Sequence, residues 1–176
     1  RADSAFQRVE DLRGRSLGFS DPNSTSGFQV PGWFLRRQAM DPATFFARTG
    51  FAGSHEQNVT AVINGTFDAG VVSYSNDRRN TFQRMVEKGM IPDGAVRVIW
   101  RSPLIPNSPI VLRMDLPEGF RRDVTAALAA LPQRDAQAFR DMSSNARDLV
   151  AAKHDDYLDI MAILEENAAR RRERRS

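Results

Sequence analysis

Ser16-Leu17-Gly18-Phe19-Ser20, followed at once by Asp21-Pro22-Asn23-Ser24-Thr25-Ser26-Gly27, is the stretch on which the fold turns. The first five residues form a short apolar run fed by the turn-like Asp11-Leu12-Arg13-Gly14-Arg15, which suits a buried strand. The next seven gather turn and N-cap residue types, and beyond them apolar side chains recur at helical spacing over 28–37. The order is strand, polar loop, helix.

Working outward, the same alternation continues. Asp41-Pro42-Ala43-Thr44 opens a helix with an N-cap carboxylate and a proline at the first helical position, with Phe45 and Phe46 turned inward. Phe51-Ala52-Gly53 ends a second strand, and Ser54-His55-Glu56 begins a helix through Val59, Val62 and Ile63 that Asn64-Gly65 stops. A third strand is predicted over 68–74, a helix over 77–88 closed by Gly89, and a fourth strand at Val96-Arg97-Val98-Ile99-Trp100. This rhythm predicts an α/β layer with a mostly parallel sheet flanked by helices on both faces. After Arg101 it changes. Prolines at 103, 106 and 109 force extended backbone, which reads as a crossing segment. Ile110-Val111-Leu112-Arg113 follows as a strand, then a helix from Pro117 through Leu131, then helical sequence that includes Tyr157-Leu158-Asp159-Ile160-Met161-Ala162-Ile163-Leu164.

Composition narrows the function classes. The 176 residues are 41% hydrophobic, enough for a buried core. They contain no apolar run of about eighteen residues that would cross a bilayer. The absence of cysteine excludes disulfides, thiolate metal sites and cysteine nucleophiles. Much of the net charge of +3 comes from the tail 170–176, and the rest of the chain is close to neutral. A terminal arginine run reads as a solvated helix end, and no aromatic-rich basic sheet accompanies it, so no nucleic-acid partner is expected. No basic, apolar leader stands at the amino end, so an export signal is expected to have been removed or to lie outside this chain.

The chemistry concentrates where strands hand over to helices. Ser24-Thr25-Ser26 sits at such a junction, where first-turn N–H groups lack partners and collect anions. Hydroxyls add donors, and Gly27 is expected to leave room for the backbone to approach a tetrahedral oxyanion. Taken alone, the same residues also make an ordinary turn and N-cap. His55 lies at the next strand-to-helix junction, and loops at the carboxyl ends of neighbouring parallel strands converge on one crevice. An imidazole donates to an oxyanion while neutral, and with charge assistance when protonated. A lone histidine equally serves structure alone. Tyr74 and Ser75, at the end of the third strand, offer neutral donors to the same rim or are plain loop residues. Glu56 is read as a first-turn carboxylate favoured by the helix dipole and lies outside the site.

In four blocks these residues resemble the PhnD-type phosphonate, phosphite and phosphate binding proteins of bacterial ABC transporters. The blocks are Asp11-Leu12-Arg13-Gly14 with Asp21-Pro22-Asn23-Ser24-Thr25-Ser26-Gly27; Phe51-Ala52-Gly53-Ser54-His55-Glu56; Val62-Ile63-Asn64-Gly65 with Asp68-Ala69-Gly70; and Val98-Ile99-Trp100-Arg101-Ser102-Pro103-Leu104-Ile105-Pro106. They run in family order over about residues 10–118. The segment 157–164 is also similar to the family's closing helix.

The resemblance implies a type II periplasmic binding protein, with two α/β lobes joined by crossing strands and the ligand between them. Residues 10–102 then form the ligand-binding lobe. Residues 103–176 supply the crossing segment, a strand and C-terminal helices of the other lobe, most of which is missing because the chain begins just before the second lobe. Ser24, Thr25, Ser26 and His55 fall on positions that hold the phosphoryl or phosphonyl oxygens in the family. Aminoalkylphosphonate binders of the family place a carboxylate near the end of the third strand. Here Tyr74 and Ser75 stand there, which favours a small inorganic anion.

The implied function is capture without chemistry, by a periplasmic monomer that needs no cofactor or metal and partners a membrane ABC permease. Charge-assisted hydrogen bonds contribute about 1.5–3 kcal/mol each, so a few suffice for roughly micromolar affinity. The rivals are a ligand-sensing module of a signalling protein with the same fold, and a phosphoryl-transfer enzyme. Against the enzyme, the sequence shows no P-loop lysine, no paired metal-binding carboxylates on one loop and no serine–histidine–carboxylate set.

Overall fold

The computed structural model describes residues 1–77, 79–143 and 146–173. The expected tail residues Arg174, Arg175 and Ser176 lie outside them. The chain divides into two compact units, one of Arg1–Ile105 with Asp159–Ser176 and one of Pro106–Leu158. The final helix thus belongs with the first unit, whereas the sequence division kept 103–176 together.

The first unit is built on β1 (Ser16–Phe19), which pairs in parallel with β2 (Arg48–Phe51) on one side and β3 (Ala69–Gly70) on the other. Register runs Leu17↔Thr49 and Leu17↔Ala69, so β1 is central. Leu17 and Phe19 are buried, as a strand covered on both faces requires. A π-turn at Thr25–Gln29 leads into α1 (Val30–Arg37), and α2 (Pro42–Phe45) is capped by the Asp41 side chain on the Ala43 N–H. With Val9, Leu12, Leu35 and Met40, the inward-facing Phe45 and Phe46 complete one core cluster with β1.

From β2 the chain enters α3 (His55–Ile63), capped by the Ser54 hydroxyl on the Gln57 N–H. One face of α3 is pinned to the sheet by Asn58. This fully buried amide donates from Nδ2 to the carbonyls of Gly18 and Val71, both at 2.9 Å, and so joins β1 to the end of β3. A Cβ at Gly18 would lie 2.2 Å from Asn58 Oδ1, so the strand must carry glycine there for the helix to approach.

Four predicted elements take a different form. The third strand, expected over 68–74, pairs only at Ala69–Gly70. The Val71 N–H still reaches the Gly18 carbonyl at 2.9 Å, but the Ser73 N–H turns to a histidine side chain, so the ladder stops. The helix expected from 77 begins at Thr81 instead, because Asn80 is its N-cap. Ahead of it, β4 (Tyr74–Asn76) pairs antiparallel with β5 (Arg79–Asn80), and α4 is Thr81–Glu87.

Residues 96–100 carry no strand ladder. Ile99 and Trp100 pack on the core as the pattern implied. The backbone here runs beside the amino-terminal residues, whose carbonyls at Ala2, Ser4 and Phe6 accept from the Arg97 guanidinium. The alternation marked burial correctly, but a strand also needs a hydrogen-bonded neighbour.

The second unit contains α5 (Glu118–Arg134) and α6 (Ala136–Met142), the latter capped by the Asp135 carboxylate on the Ala138 N–H. Within it, the Tyr157 hydroxyl donates to the Asn107 carbonyl at 3.0 Å. Ile110-Val111-Leu112-Arg113, expected as a strand, has no strand pairing among the described residues, and Val111 is 78% exposed. The last helix, α7 (Leu158–Glu173), returns to the first unit. Among the described residues no helix is long and apolar enough to cross a membrane.

Candidate anion-binding site

Ser20 is the meeting point of the loops that leave β1, β2 and β3. It is 1% exposed. Its N–H donates to the Gly27 carbonyl at 3.2 Å, and its own carbonyl accepts from the Gly53 N–H at 2.8 Å. Its hydroxyl lies 2.8 Å from the Val71 carbonyl and 2.9 Å from Nδ1 of His55, and its one proton serves either acceptor. One residue, through its backbone and its hydroxyl, therefore locks the loop carrying residues 24–26, the loop before α3 and the exit of β3 together at the carboxyl ends of parallel strands. In sequence Ser20 carries no signal beyond that of a strand end.

Gly27 has a different task from the one expected. A Cβ there would lie 2.6 Å from Ser20 Cβ, 2.7 Å from Ser20 Oγ and 2.8 Å from Ser24 Oγ. The room that glycine leaves is filled by Ser20 and Ser24, so Gly27 lets the helix start close on the strand end. It is not left open for a ligand.

The three residues 24–26 divide in role. Ser24 is the N-cap of the π-turn, and its hydroxyl oxygen accepts from the Gly27 N–H at 2.9 Å. Accepting leaves the O–H proton of a serine available to donate. Thr25 and Ser26, both half-buried, have no hydrogen-bond partner for their N–H groups or hydroxyls among the described residues. Two first-turn N–H groups and two hydroxyls thus stand together as unengaged donors, the arrangement that receives an oxyanion.

His55 adds one more donor, and its neighbours set its tautomer. The Ser73 N–H donates to Nδ1 at 3.1 Å, which makes Nδ1 an acceptor and places the ring proton on Nε2. Among the described residues Nε2 has no partner. Protonating Nδ1 would set two N–H groups against each other. Burial also lowers the His55 pKa, opposed by the Glu56 carboxylate and reinforced by the Arg84 guanidinium. His55 is therefore a neutral donor. Glu56, left outside the site by the sequence reading, lies 3.6 Å from Arg84.

The β4 residues stand differently. The Tyr74 hydroxyl donates to the Asp77 carboxylate, the Arg101 guanidinium carbon lies 4.4 Å from the Tyr74 ring centroid, and Arg101 pairs with Asp77 at 3.0 Å. Ser75 is exposed. Neither side chain is bonded to residues 24–26 or to His55, although Ser73 next to them is. A carboxylate does stand at this edge, contrary to expectation, because Asp77 lies beside Tyr74 and not at the start of a helix. It is held in its charged form by the Tyr74 hydroxyl first and by Arg101 second.

Comparison with known proteins bears on this arrangement. The family model described as "ABC transporter, phosphonate, periplasmic substrate-binding protein" matches residues 1–157. The chain is 39% identical over 121 residues to the phosphonates-binding periplasmic protein of Escherichia coli (strain K12), covering 66% of this chain and 34% of that protein. It superposes on the binding component of a Pseudomonas aeruginosa ABC phosphonate transporter with a TM-score of 0.66 and 29% identity, covering 92% of this chain and 53% of that one. A Prochlorococcus marinus (MIT 9301) structure, PhnD1 in complex with methylphosphonate, gives 0.67 at 23% identity, covering 90% and 59%. The chain therefore spans less than two thirds of the length of each. The likeness supports the α/β fold of type II periplasmic binding proteins expected from the strand and helix order.

Proposed function

The chain belongs to the periplasmic substrate-binding proteins of phosphonate ABC transporters, and from that premise we propose that it captures a phosphorus oxyanion without transforming it. The anion, a phosphonate, phosphite or phosphate, is held by the N–H groups and hydroxyls of Thr25 and Ser26, the Ser24 hydroxyl and Nε2–H of His55. Tyr74 and Ser75 stand at the rim of the site, the Tyr74 hydroxyl already bonded to Asp77. The loaded protein is a periplasmic monomer that delivers its ligand to a membrane permease.

The observation that carries this reading is the unengaged state of the Thr25 and Ser26 donors beside a histidine whose proton is directed to Nε2. Donors without protein partners bind through their own geometry, and anion binding at a helix start needs no lysine or arginine. The same tautomer argues for binding over catalysis. With Nδ1 accepting from Ser73 and Nε2 protonated, the ring faces the anion loop as a donor and not as a base.

Calorimetric titration with phosphite, phosphate, methylphosphonate, 2-aminoethylphosphonate and sulfate tests the proposal. Saturable 1:1 binding of at least one phosphorus anion, with sulfate much weaker, is expected. Preference for sulfate, or turnover of a phosphate ester, would overturn it.

A further inference from the structure

A loop whose N–H groups stay without protein partners has to be held from its ends, and here the hold comes from a distant helix. Gln29, 6% exposed, donates from Nε2 to the Pro22 carbonyl at 2.7 Å, tying the residue after the loop to the residue before it. The Gln29 main-chain carbonyl and its Oε1 both accept from Nδ2 of Asn167, at 3.1 and 3.0 Å. Asn167 lies on α7, 138 residues further along the chain, and is 8% exposed. Its Oδ1 accepts from the Arg36 guanidinium on α1.

The polarity of this chain of bonds has a direction. Arg36 can only donate, so it turns Oδ1 of Asn167 toward α1 and Nδ2 toward Gln29. Nδ2 then selects Oε1 of Gln29, which leaves Nε2 facing Pro22. Without the Asn167 donor, only the Pro22 carbonyl still selects the orientation of the Gln29 amide, and the tie across the loop is weakened. Ordering backbone costs about 1–2 kcal/mol per residue. A loop ordered before the ligand arrives removes that cost from binding.

We propose that Asn167 is a positioning residue for anion capture, acting through Gln29 to hold residues 22–29 in their receptive form. The inference rests on the anion-binding reading of residues 24–26. It makes the last helix part of the binding apparatus, although α7 itself supplies no donor to the anion.

Asn167→Asp keeps an oxygen for Arg36 but puts a carboxylate against two acceptors of Gln29. Other contacts continue to seat α7, among them the Trp33 indole N–H on Glu166 at 2.7 Å. Gln29→Glu retains acceptors for Asn167 and removes the donor to Pro22. Calorimetry with phosphite and methylphosphonate should show Kd raised about tenfold in each variant, the scale of the ordering cost of one loop residue. In the anion-free protein, amide exchange at Phe28 and Gln29, whose N–H groups both bond the Ser24 carbonyl, should quicken by a similar factor. Trp33 fluorescence should stay as in the parent.

Affinity within about twofold of the parent in both variants, a difference too small for a lost bond, would overturn the proposal. So would weakened binding confined to Asn167→Asp and accompanied by a Trp33 shift, since that marks a helix that has merely come loose. If the parent protein binds none of these anions, the functional reading fails, while exchange at Phe28 and Gln29 still decides whether Asn167 orders the loop.

Discussion

The backbone N–H of Ser73 donates to Nδ1 of His55 at 3.1 Å, and this bond sets what the imidazole can offer a ligand. The residue that ends the third strand's ladder also orients the histidine at the start of α3. The neutral Nε2–H form follows, and long-range proton–nitrogen NMR of the ring should show it at pH 7.5. An Nδ1–H pattern would contradict it.

His55 also links stability to pH. Its folded pKa is lowered, by burial foremost, from a value of about 6.5 in the unfolded chain. Between the two values the unfolded state binds more protons. Stability therefore falls as pH drops below about 6.5 and is unaffected by this group above it. Thermal midpoints from pH 7.5 to 5.5 should show the decline, and His55→Gln should flatten it.

Ser24 and Ser26 should separate stability from binding. Ser24→Ala removes an N-cap acceptor and is expected to cost about 1 kcal/mol in denaturant unfolding. Ser26→Ala touches no protein partner, so stability should hold. Affinity for phosphite should drop about tenfold, the effect of losing one hydrogen bond to an anion.

Gly27→Ala would press a methyl group to 2.6 Å from Ser20 Cβ and 2.8 Å from Ser24 Oγ. Overpacking of this kind costs about 1–3 kcal/mol. Binding should weaken as well, because Ser20 must shift and it holds His55. A variant that binds and unfolds like the parent would show that the contact is not needed.

Asn58→Ala leaves the Gly18 and Val71 carbonyls without their 2.9 Å donor bonds in a fully buried place. Each carbonyl keeps another donor, the Val71 N–H on Gly18 and the Ser20 hydroxyl on Val71, so the loss expected in equilibrium unfolding is about 1–3 kcal/mol, the sum of two neutral hydrogen bonds.

Much of this was legible in the sequence because the signals were local. The apolar run 16–19, the caps Asp41 and Ser54 and the inward Phe45 and Phe46 each fall within a few residues of the element they define. What escaped was relational. Ser20 looks like any strand end until Gly53, His55 and Val71 are brought to it, the last two from 35 and 51 positions away. Asp77 fits a helix start as well as a turn, and only the pairing of Tyr74 with Asn80 moves the helix to Thr81. The pattern at 96–100 announces burial, which Ile99 and Trp100 fulfil, but a pattern cannot supply the neighbouring strand. Gln29 and Asn167 carry no motif at all; their meeting exists only in three dimensions.

The most direct test of the central claim is a crystal structure of the protein grown with methylphosphonate. Phosphonate oxygens are expected within hydrogen-bond distance of the Thr25 and Ser26 N–H groups and of His55 Nε2, with Ser73 still bonded to Nδ1. A ligand seated elsewhere, with water over residues 24–26 and the His55 ring turned away, would contradict it.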